Sequence, residues 1–162
     1  MISITYPHGD YSSADLAIKL QALAQTNSQK IYVVPKHFGR DKTNIYKNLE
    51  NTNAALLLLH DKLGLDKPTK DEVVYLVKKK AVVYSIAPIE TRKHLKLPNG
   101  VTSFYYDQAK SGDFLKTVQK IISDLEKVKK EKSNDDNLGG LLLLMALVIL
   151  VISAVFSSDD KK

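Results

Sequence analysis

The stretch AALLLLHDKLGLDKPTKDEVVYLVKKKAVVYSI, residues 54–86, decides the fold of this chain. Residues 54–59 and 81–86 are apolar runs without period-two alternation, which is typical of parallel strands covered on both faces. Between them, Thr69 and Glu72 have the spacing of a capping box just before an apolar helical pattern. The stretch therefore predicts a β-α-β unit whose loop lies at the carboxyl edge of a sheet, where open α/β folds bind ligands. The polar residues at this predicted edge are His60, Asp61, Asp71 and Glu72.

The rest of the first 130 residues continues the alternation of strands and helices. Further strands are predicted at residues 2–6, 31–34 and 101–106. Further helices are predicted at residues 12–25, capped by Ser12 or Ser13, at residues 43–50, and from Ser111 or Asp113 to residue 129. Residues 87–100 contain two prolines, which leaves room for at most a brief helix. The pattern predicts an α/β domain with a flavodoxin-like, doubly wound, five-stranded parallel sheet of order 2-1-3-4-5.

The C-terminal part of the chain has a different composition. Residues 138–156 carry no charge over 19 positions, the length that a helix needs to cross about 30 Å of hydrocarbon. The first ten residues lack the basic and apolar regions of a secretory signal. We therefore expect an α/β domain at residues 1–130, a polar linker at 131–137, a C-terminal transmembrane helix at 138–156 and a short polar tail at 157–162.

Charge indicates how such a chain would sit in a membrane. Several lysines precede the apolar segment, whereas the four charges of the tail cancel, so the net charge of +6 belongs to residues 1–137. This asymmetry predicts a single-pass membrane protein with a cytoplasmic N-terminal domain. The basic residues are scattered without a row of exposed aromatics, which argues against nucleic acid as a partner. The chain has no cysteine, which excludes disulfides and cysteine metal sites.

Common nucleotide motifs do not fit the first predicted loop. Dinucleotide and P-loop fingerprints need several glycines after the first strand, where only Gly9 is present. Tyr11-Ser12-Ser13 is a thin version of a flavin phosphate loop. Asp61 suits a phosphoacceptor receiver, but the acidic pair that would hold its Mg²⁺ after the first strand is missing. A divalent metal between the first and third strands remains an alternative, with His8, Asp10, His60 and Asp61 as its ligands.

Three segments resemble the TIR (Toll/interleukin-1 receptor) domains and the TIR-like domains of microbial defence systems. Residues 4–10, ITYPHGD, resemble the family's first box, a strand that runs into a turn with an aspartate. The loop with Gly39 after the second strand is similar to the family's mobile loop. Residues 69–75, TKDEVVY, are similar to the helix after the third strand that carries a catalytic glutamate in the enzymatic members, and Glu72 is the matching residue.

The resemblance implies cleavage of the bond between nicotinamide and ribose in NAD. Nicotinamide is a good cationic leaving group, so one carboxylate, Glu72, suffices to stabilise an oxocarbenium-like transition state without a metal or a cofactor. NAD is then the substrate. The residues expected to bind the nucleotide are Tyr6, His8, Ser12, Phe38, Arg40 and His60.

The sequence leaves more than one function open. The first is a membrane-anchored TIR-like signalling or defence effector that forms homo-oligomers and cleaves NAD on self-association. The second is a non-catalytic module that senses a nucleotide or binds a TIR partner, while its transmembrane helix assembles in or perturbs the membrane. A tail-anchored structural protein is a third possibility, and Glu72 would then serve only in the capping box.

Overall fold

A computed structural model of the chain describes residues 1–26, 30–37, 40–60, 64–110 and 112–131, with side chains as far as residue 123 in the last range, and residues 142, 145, 146 and 148. The strands are β1 (Ile2–Thr5), β2 (Ile31–Val33), β3 (Ala54–Leu58), β4 (Val82–Pro88) and β5 (Val101–Tyr106). The helices are α1 (Tyr11–Thr26), α2 (Lys42–Glu50), α3 (Lys67–Lys78) and α4 (Asp113–Glu131). The strands form one parallel sheet in the order β2-β1-β3-β4-β5. The predicted sheet order is therefore confirmed.

The sheet has a hydrophobic core on each face, because successive side chains of a strand point to opposite sides. Leu56 packs in the cluster that contains Leu20 of α1 and Ile121 of α4. Its neighbour Leu57 packs in a second cluster with Val73 of α3. All five side chains are fully buried, and burial of a side chain of this size contributes about 1.5–3 kcal/mol. The central strand is covered on both sides, as its unbroken apolar run predicts.

Helix α3 begins earlier than the capping-box pattern predicts. It starts at Lys67, and Asp66 is its N-cap, with the Asp66 carboxylate accepting a hydrogen bond of 2.7 Å from the amide of Thr69. Pro68 fits inside the first turn, since its missing N–H would have no helical partner there. The predicted capping box is therefore wrong, because Thr69 is the third residue of the helix and Glu72 lies one turn further on.

The cap of α1 also differs from the prediction. Asp10, and not Ser12 or Ser13, accepts hydrogen bonds from the amide and hydroxyl of Ser13, at 2.9 and 2.8 Å. The Asp10 carboxylate also accepts a bond of 2.8 Å from the amide of His60, which follows β3. An aspartate satisfies more donors here than a serine can, and it joins the ends of β1 and β3.

The remaining elements agree closely with the predicted ones. β5 has the predicted bounds, and the segment after β4 contains only a short 3-10 helix, Ile89–Lys93. β2 is an edge strand of three residues, and Pro35 follows it after one more residue. In α4, Val118 and Ile121 are buried, whereas the side chains after residue 123 lie outside the described residues.

Most of the predicted transmembrane helix, the linker beyond residue 131 and the tail lie outside the described residues. Within the part of the chain that the structure describes, no helix has the length and apolar character needed to span a membrane. Four residues of the apolar segment are described, and all are helical: Leu142, Met145, Ala146 and Val148. Met145 and Val148 are fully buried in the cluster that covers the α1 and α4 side of the sheet.

Candidate functional site

Glu72 lies at the carboxyl edge of the sheet with its carboxylate completely buried. The carboxylate oxygen Oε2 accepts a hydrogen bond of 2.7 Å from the Thr5 hydroxyl at the end of β1. The same oxygen accepts a bond of 2.5 Å from Nζ of Lys36. The guanidinium of Arg40 donates to the other oxygen, Oε1. Glu72 therefore joins α3 to β1 and to the loop that follows β2.

Lys36 is the second buried member of this network, with a side chain only 5% exposed. Its ammonium also donates to the hydroxyl of Thr69 at 3.0 Å, and that hydroxyl donates to the carbonyl of Tyr6 at 3.1 Å. Burial lowers the pKa of Lys36 from its ordinary value, and the attraction of Glu72 only partly opposes this shift. Burial of the charged Lys36 ammonium therefore costs desolvation free energy, and the ion pair with Glu72 offsets part of that cost.

The cations and carboxylates of this corner are close to balance. Lys36 and Arg40 both contact the carboxylate of Glu72, and the Asp66 carboxylate also attracts Lys36. Within the described part of the chain, Nε of Arg40 is buried and has no hydrogen-bond partner. A buried donor without a partner is costly, so a ligand that offers an acceptor atom to Nε of Arg40 would be favoured here.

A cleft of about 500 Å³ opens beside the network, on the α1 side of the sheet. Its volume is within the range of about 300–1,000 Å³ that is usual for small-molecule sites. Lys36 lines the cleft and also donates a hydrogen bond to Glu72, so the cleft and the network share this residue. The other lining residues come from the end of β1, from α1 and from the end of β2: Tyr6, His8, Gly9, Asp10, Tyr11, Ala14, Ile18, Gln21, Val33, Pro35 and His37.

The loop between β1 and α1 is fixed at the mouth of the cleft by an acidic residue. Asp66 accepts hydrogen bonds from the amides of His8 and Thr69. Burial opposes ionisation of Asp66, but these amide bonds outweigh it and lower the pKa of the carboxyl group. Asp66 therefore stays ionised, and it holds the His8 backbone while the His8 side chain remains exposed.

The structure brings together only some of the residues expected to bind a nucleotide. Tyr6 and His8 line the cleft, and Arg40 contacts Glu72. Ser12 is exposed on α1 and is not part of the cleft lining, while Phe38 lies outside the described residues. His60 is not among the residues that line the cleft, although its amide donates to Asp10, and its Nδ1 atom shares a hydrogen bond of 2.9 Å with the Tyr106 hydroxyl.

The alternative of a metal site has no support in the described residues. Among them, no group of three or more histidine, aspartate or glutamate side chains is placed to hold an ion. The Asp10 carboxylate is engaged by the Ser13 and His60 amides, and His60 by Tyr106. Asp61, the fourth expected ligand, lies outside the described part of the chain.

Sequence reasoning missed Lys36, Thr5 and Thr69 as members of the site. Thr5 and Lys36 do carry a local signal, since Thr5 is the last polar residue of the strand predicted at 2–6 and Lys36 follows Pro35, just after the strand predicted at 31–34. The carboxyl ends of parallel strands meet at one sheet edge, so a polar residue at each end is a candidate site residue. The prediction named Phe38 and Arg40 from the loop after the second strand instead.

No protein-family model matches this chain, and neither does any curated protein. The functional interpretation therefore depends on the geometry around Glu72 and on the cleft beside it.

Proposed function

We propose that this protein is a membrane-anchored TIR-like signalling or defence effector that binds NAD in the cleft and, on self-association, cleaves it at the nicotinamide–ribose bond. Two features support the proposal. The parallel sheet has the expected strand order, and the helix after β3 carries a glutamate at the carboxyl edge. A cleft of suitable size is lined in part by Lys36, which also donates a hydrogen bond to that glutamate, whereas Glu72 is not itself among the lining residues.

The observation that carries the proposal is the environment of the Glu72 carboxylate. It is fully buried and accepts hydrogen bonds from Thr5, Lys36 and Arg40. A fixed negative charge in a site without bulk water interacts strongly with a positive charge that develops nearby. An oxocarbenium-like ribose is such a charge, so Glu72 is well suited to stabilise it.

The proposed reaction needs little covalent chemistry from the protein. The bond between nicotinamide N1 and ribose C1′ breaks, and its electron pair leaves with nicotinamide. Water then adds to C1′ and loses a proton, which gives ADP-ribose, nicotinamide and H⁺. Glu72 stabilises the positive ribose between these two steps, which is the differential binding of the transition state that accelerates a reaction.

In the structure, Glu72 is neutralised by the same cations that suit a diphosphate. A dinucleotide in the cleft would offer its phosphates to Lys36 and Arg40, which now contact the carboxylate. Phosphate accepts the planar fork of arginine in a bidentate manner, and it also binds lysine as a point charge. We infer that substrate binding transfers these cations from Glu72 to the diphosphate and leaves the carboxylate charge uncompensated beside the ribose.

Self-association would be promoted by the proposed anchor. Copies held in one bilayer have a high effective concentration, which drives weak contacts between domains without new affinity. The expected homo-oligomer and the cytoplasmic orientation belong to the same proposal. The activity should therefore depend on the density of the protein in the membrane.

The direct test is release of nicotinamide from NAD by the full chain, reconstituted at high density in phospholipid vesicles. Glu72→Gln should lose activity by at least about 100-fold, the scale of removing a charged transition-state partner. Asp71→Asn is the matched control, because Asp71 is the exposed neighbour on the same helix, and it should keep its activity. Circular dichroism must show that both variants are folded. No nicotinamide release at any density, or full activity in folded Glu72→Gln, would contradict the catalytic proposal.

The second candidate is a nucleotide-sensing module without catalysis. It is favoured by one observation: in the structure both oxygens of Glu72 are occupied and the carboxylate has no exposed surface. Under this proposal a nucleotide binds the cleft through Lys36 but is not cleaved. The test is a rise in melting temperature with NAD or ADP-ribose, since a ligand at about 100 times its Kd stabilises the folded state by about 2.7 kcal/mol. Stabilisation without nicotinamide release would support this candidate over the first.

A further inference from the structure

Three large hydrophobic side chains are exposed in the described part of the chain: Tyr11 at 82%, Ile18 at 59% and Ile89 at 46%. Single exposed side chains of this kind are common on protein surfaces and need no function. Tyr11 and Ile18, however, both line the cleft that Lys36 also lines. Two large apolar groups are therefore in contact with water at one concave site, where a ligand can cover them.

Both residues belong to one face of α1. The residues of this helix that line the cleft are Tyr11, Ala14, Ile18 and Gln21, and their spacing of three, four and three places them on the same face. The buried residues of the helix, such as Leu20, are not among them. Ten residue steps of about 1.5 Å give this lining face a length of about 15 Å. The cleft therefore extends along the helix and has room for more than one group of a ligand.

The cleft also contains a cation that it shares with the network of Glu72. The ammonium of Lys36 has three N–H groups, of which two donate to Glu72 and Thr69 within the described residues. The third can donate to a phosphate oxygen of a ligand, as a charge-assisted hydrogen bond. A ligand with an anionic group and an apolar ring therefore matches this cleft in both of its properties.

A dinucleotide bound by its diphosphate at Lys36 has two halves to place. Under the function proposed above, the ribose attached to nicotinamide lies at Glu72, which is not among the residues that line the cleft. The adenosine half then remains for the cleft. Both faces of an adenine ring are apolar, and a base that stacks on an aromatic side chain is stabilised whatever its sequence identity.

We propose that the Tyr11 and Ile18 face of α1 is a base-binding subsite, which takes the adenine ring of a nucleotide whose phosphate is bound by Lys36. The placement of the two halves rests on the proposed function, whereas binding at the subsite needs no cleavage. Tyr11 and Ile18 are then specificity-determining residues. They favour ligands that carry a base over sugar phosphates, which offer only hydroxyl groups and an anion.

The test compares adenosine 5′-monophosphate with ribose 5-phosphate, which lacks the base. Binding to the full chain in detergent micelles is measured by isothermal titration calorimetry. Tyr11→Ser and Ile18→Ser remove the apolar side chains of the subsite. Ile89→Ser is the matched control, because it makes the same change at an exposed isoleucine that does not line the cleft. All three positions are exposed, so the variants should fold like the parent, and circular dichroism checks this.

The parent should bind adenosine 5′-monophosphate at least about fivefold more tightly than ribose 5-phosphate, the lower end of the effect of one stacked base. Tyr11→Ser and Ile18→Ser should each lose most of this preference and keep the affinity for ribose 5-phosphate, while Ile89→Ser should match the parent. Equal affinities of the parent for the two ligands, binding of neither, or a full preference in a folded cleft variant would overturn the subsite.

These titrations do not depend on cleavage of NAD, so the two proposals can fail separately. If the parent prefers adenosine 5′-monophosphate but releases no nicotinamide from NAD, the subsite stands and the catalytic proposal fails. If nicotinamide is released but the preference is absent, only the subsite is refuted.

Discussion

Substitution of Glu72 by glutamine is the most informative perturbation of this protein, because it changes a charge while leaving the shape of the side chain nearly the same. Glutamine keeps a carbonyl oxygen that accepts from Thr5, which now donates to Oε2 at 2.7 Å. It loses the charge that Lys36 and Arg40 face. The substitution therefore leaves two cations, at side-chain exposures of 5% and 16%, without their carboxylate.

The expected cost follows from this burial. Removal of one partner of a buried ion pair costs about 3–5 kcal/mol, since the remaining charge is buried without compensation. Arg40 is partly exposed and can regain some hydration, so we expect a value near the lower end, about 3 kcal/mol. For a domain of this size, a loss of about 3 kcal/mol corresponds to a fall in melting temperature of roughly 10 °C.

The assay is equilibrium unfolding in urea, followed by far-ultraviolet circular dichroism, with the slope of free energy against denaturant compared between variants. Asp71→Asn is the control for loss of an acidic residue from α3, and as an exposed substitution it should stay within about 0.5 kcal/mol of the parent. The double variant Lys36→Met/Glu72→Gln removes one of the stranded cations, and comparison with the two single variants gives the coupling energy of the pair. We expect the double variant to be more stable than Glu72→Gln alone.

The reasoning would be refuted by a Glu72→Gln chain that unfolds within about 0.5 kcal/mol of the parent with an unchanged slope, the range of ordinary surface substitutions. The carboxylate would then be solvated and not engaged with Lys36 and Arg40. A double variant less stable than Glu72→Gln alone would also contradict it. In that case the Lys36 side chain would stabilise the fold by packing and not through its charge.

Three further predictions concern other parts of the fold. Asp66→Ala should lower the free energy of unfolding by about 1 kcal/mol near pH 7, because it removes the N-cap of α3. Since the pKa of Asp66 is lowered in the folded state, urea unfolding should show this difference disappear as the pH falls through that pKa. Lys36→Met removes an ammonium whose pKa burial lowers; urea unfolding at alkaline pH should show the parent gaining stability relative to the variant as the pH rises towards 10.5. Gly100→Ala should cost about 1–2 kcal/mol in thermal unfolding, since Gly100 has φ +99° and an added Cβ would lie 2.9 Å from Cγ1 of Val77.

Sequence pattern was sufficient where burial alone decides structure. The apolar runs at residues 54–59 and 81–86 predict β3 and β4 to within two residues, because a parallel strand that is covered on both faces buries all of its side chains and is therefore apolar along its length. The helix predicted at residues 43–50 is also confirmed as α2, in which Ile45 and Leu49 are buried. These features depend on period and composition, which a single sequence contains.

Pattern failed where one polar side chain had several possible partners. Thr69 and Glu72 match a capping box, but Asp66 occupies the cap, since Pro68 permits an earlier start of the helix. Glu72 then becomes free to contact Lys36, which is 36 residues away in sequence. No local rule identifies such a pair, because the contact exists only after β1, β2 and α3 have been brought together.

The short edge strand β2 affects how copies of this protein can assemble. An exposed strand edge is a template on which another chain can add as a further strand, but β2 offers only three residues before the chain reaches Pro35, which has no N–H to donate. Growth of a fibre by continuation of the sheet at this side is therefore disfavoured. Any ordered assembly on this side must be built from side-chain contacts of helices and loops, which a cell can reverse more easily than a continuous ladder of backbone hydrogen bonds.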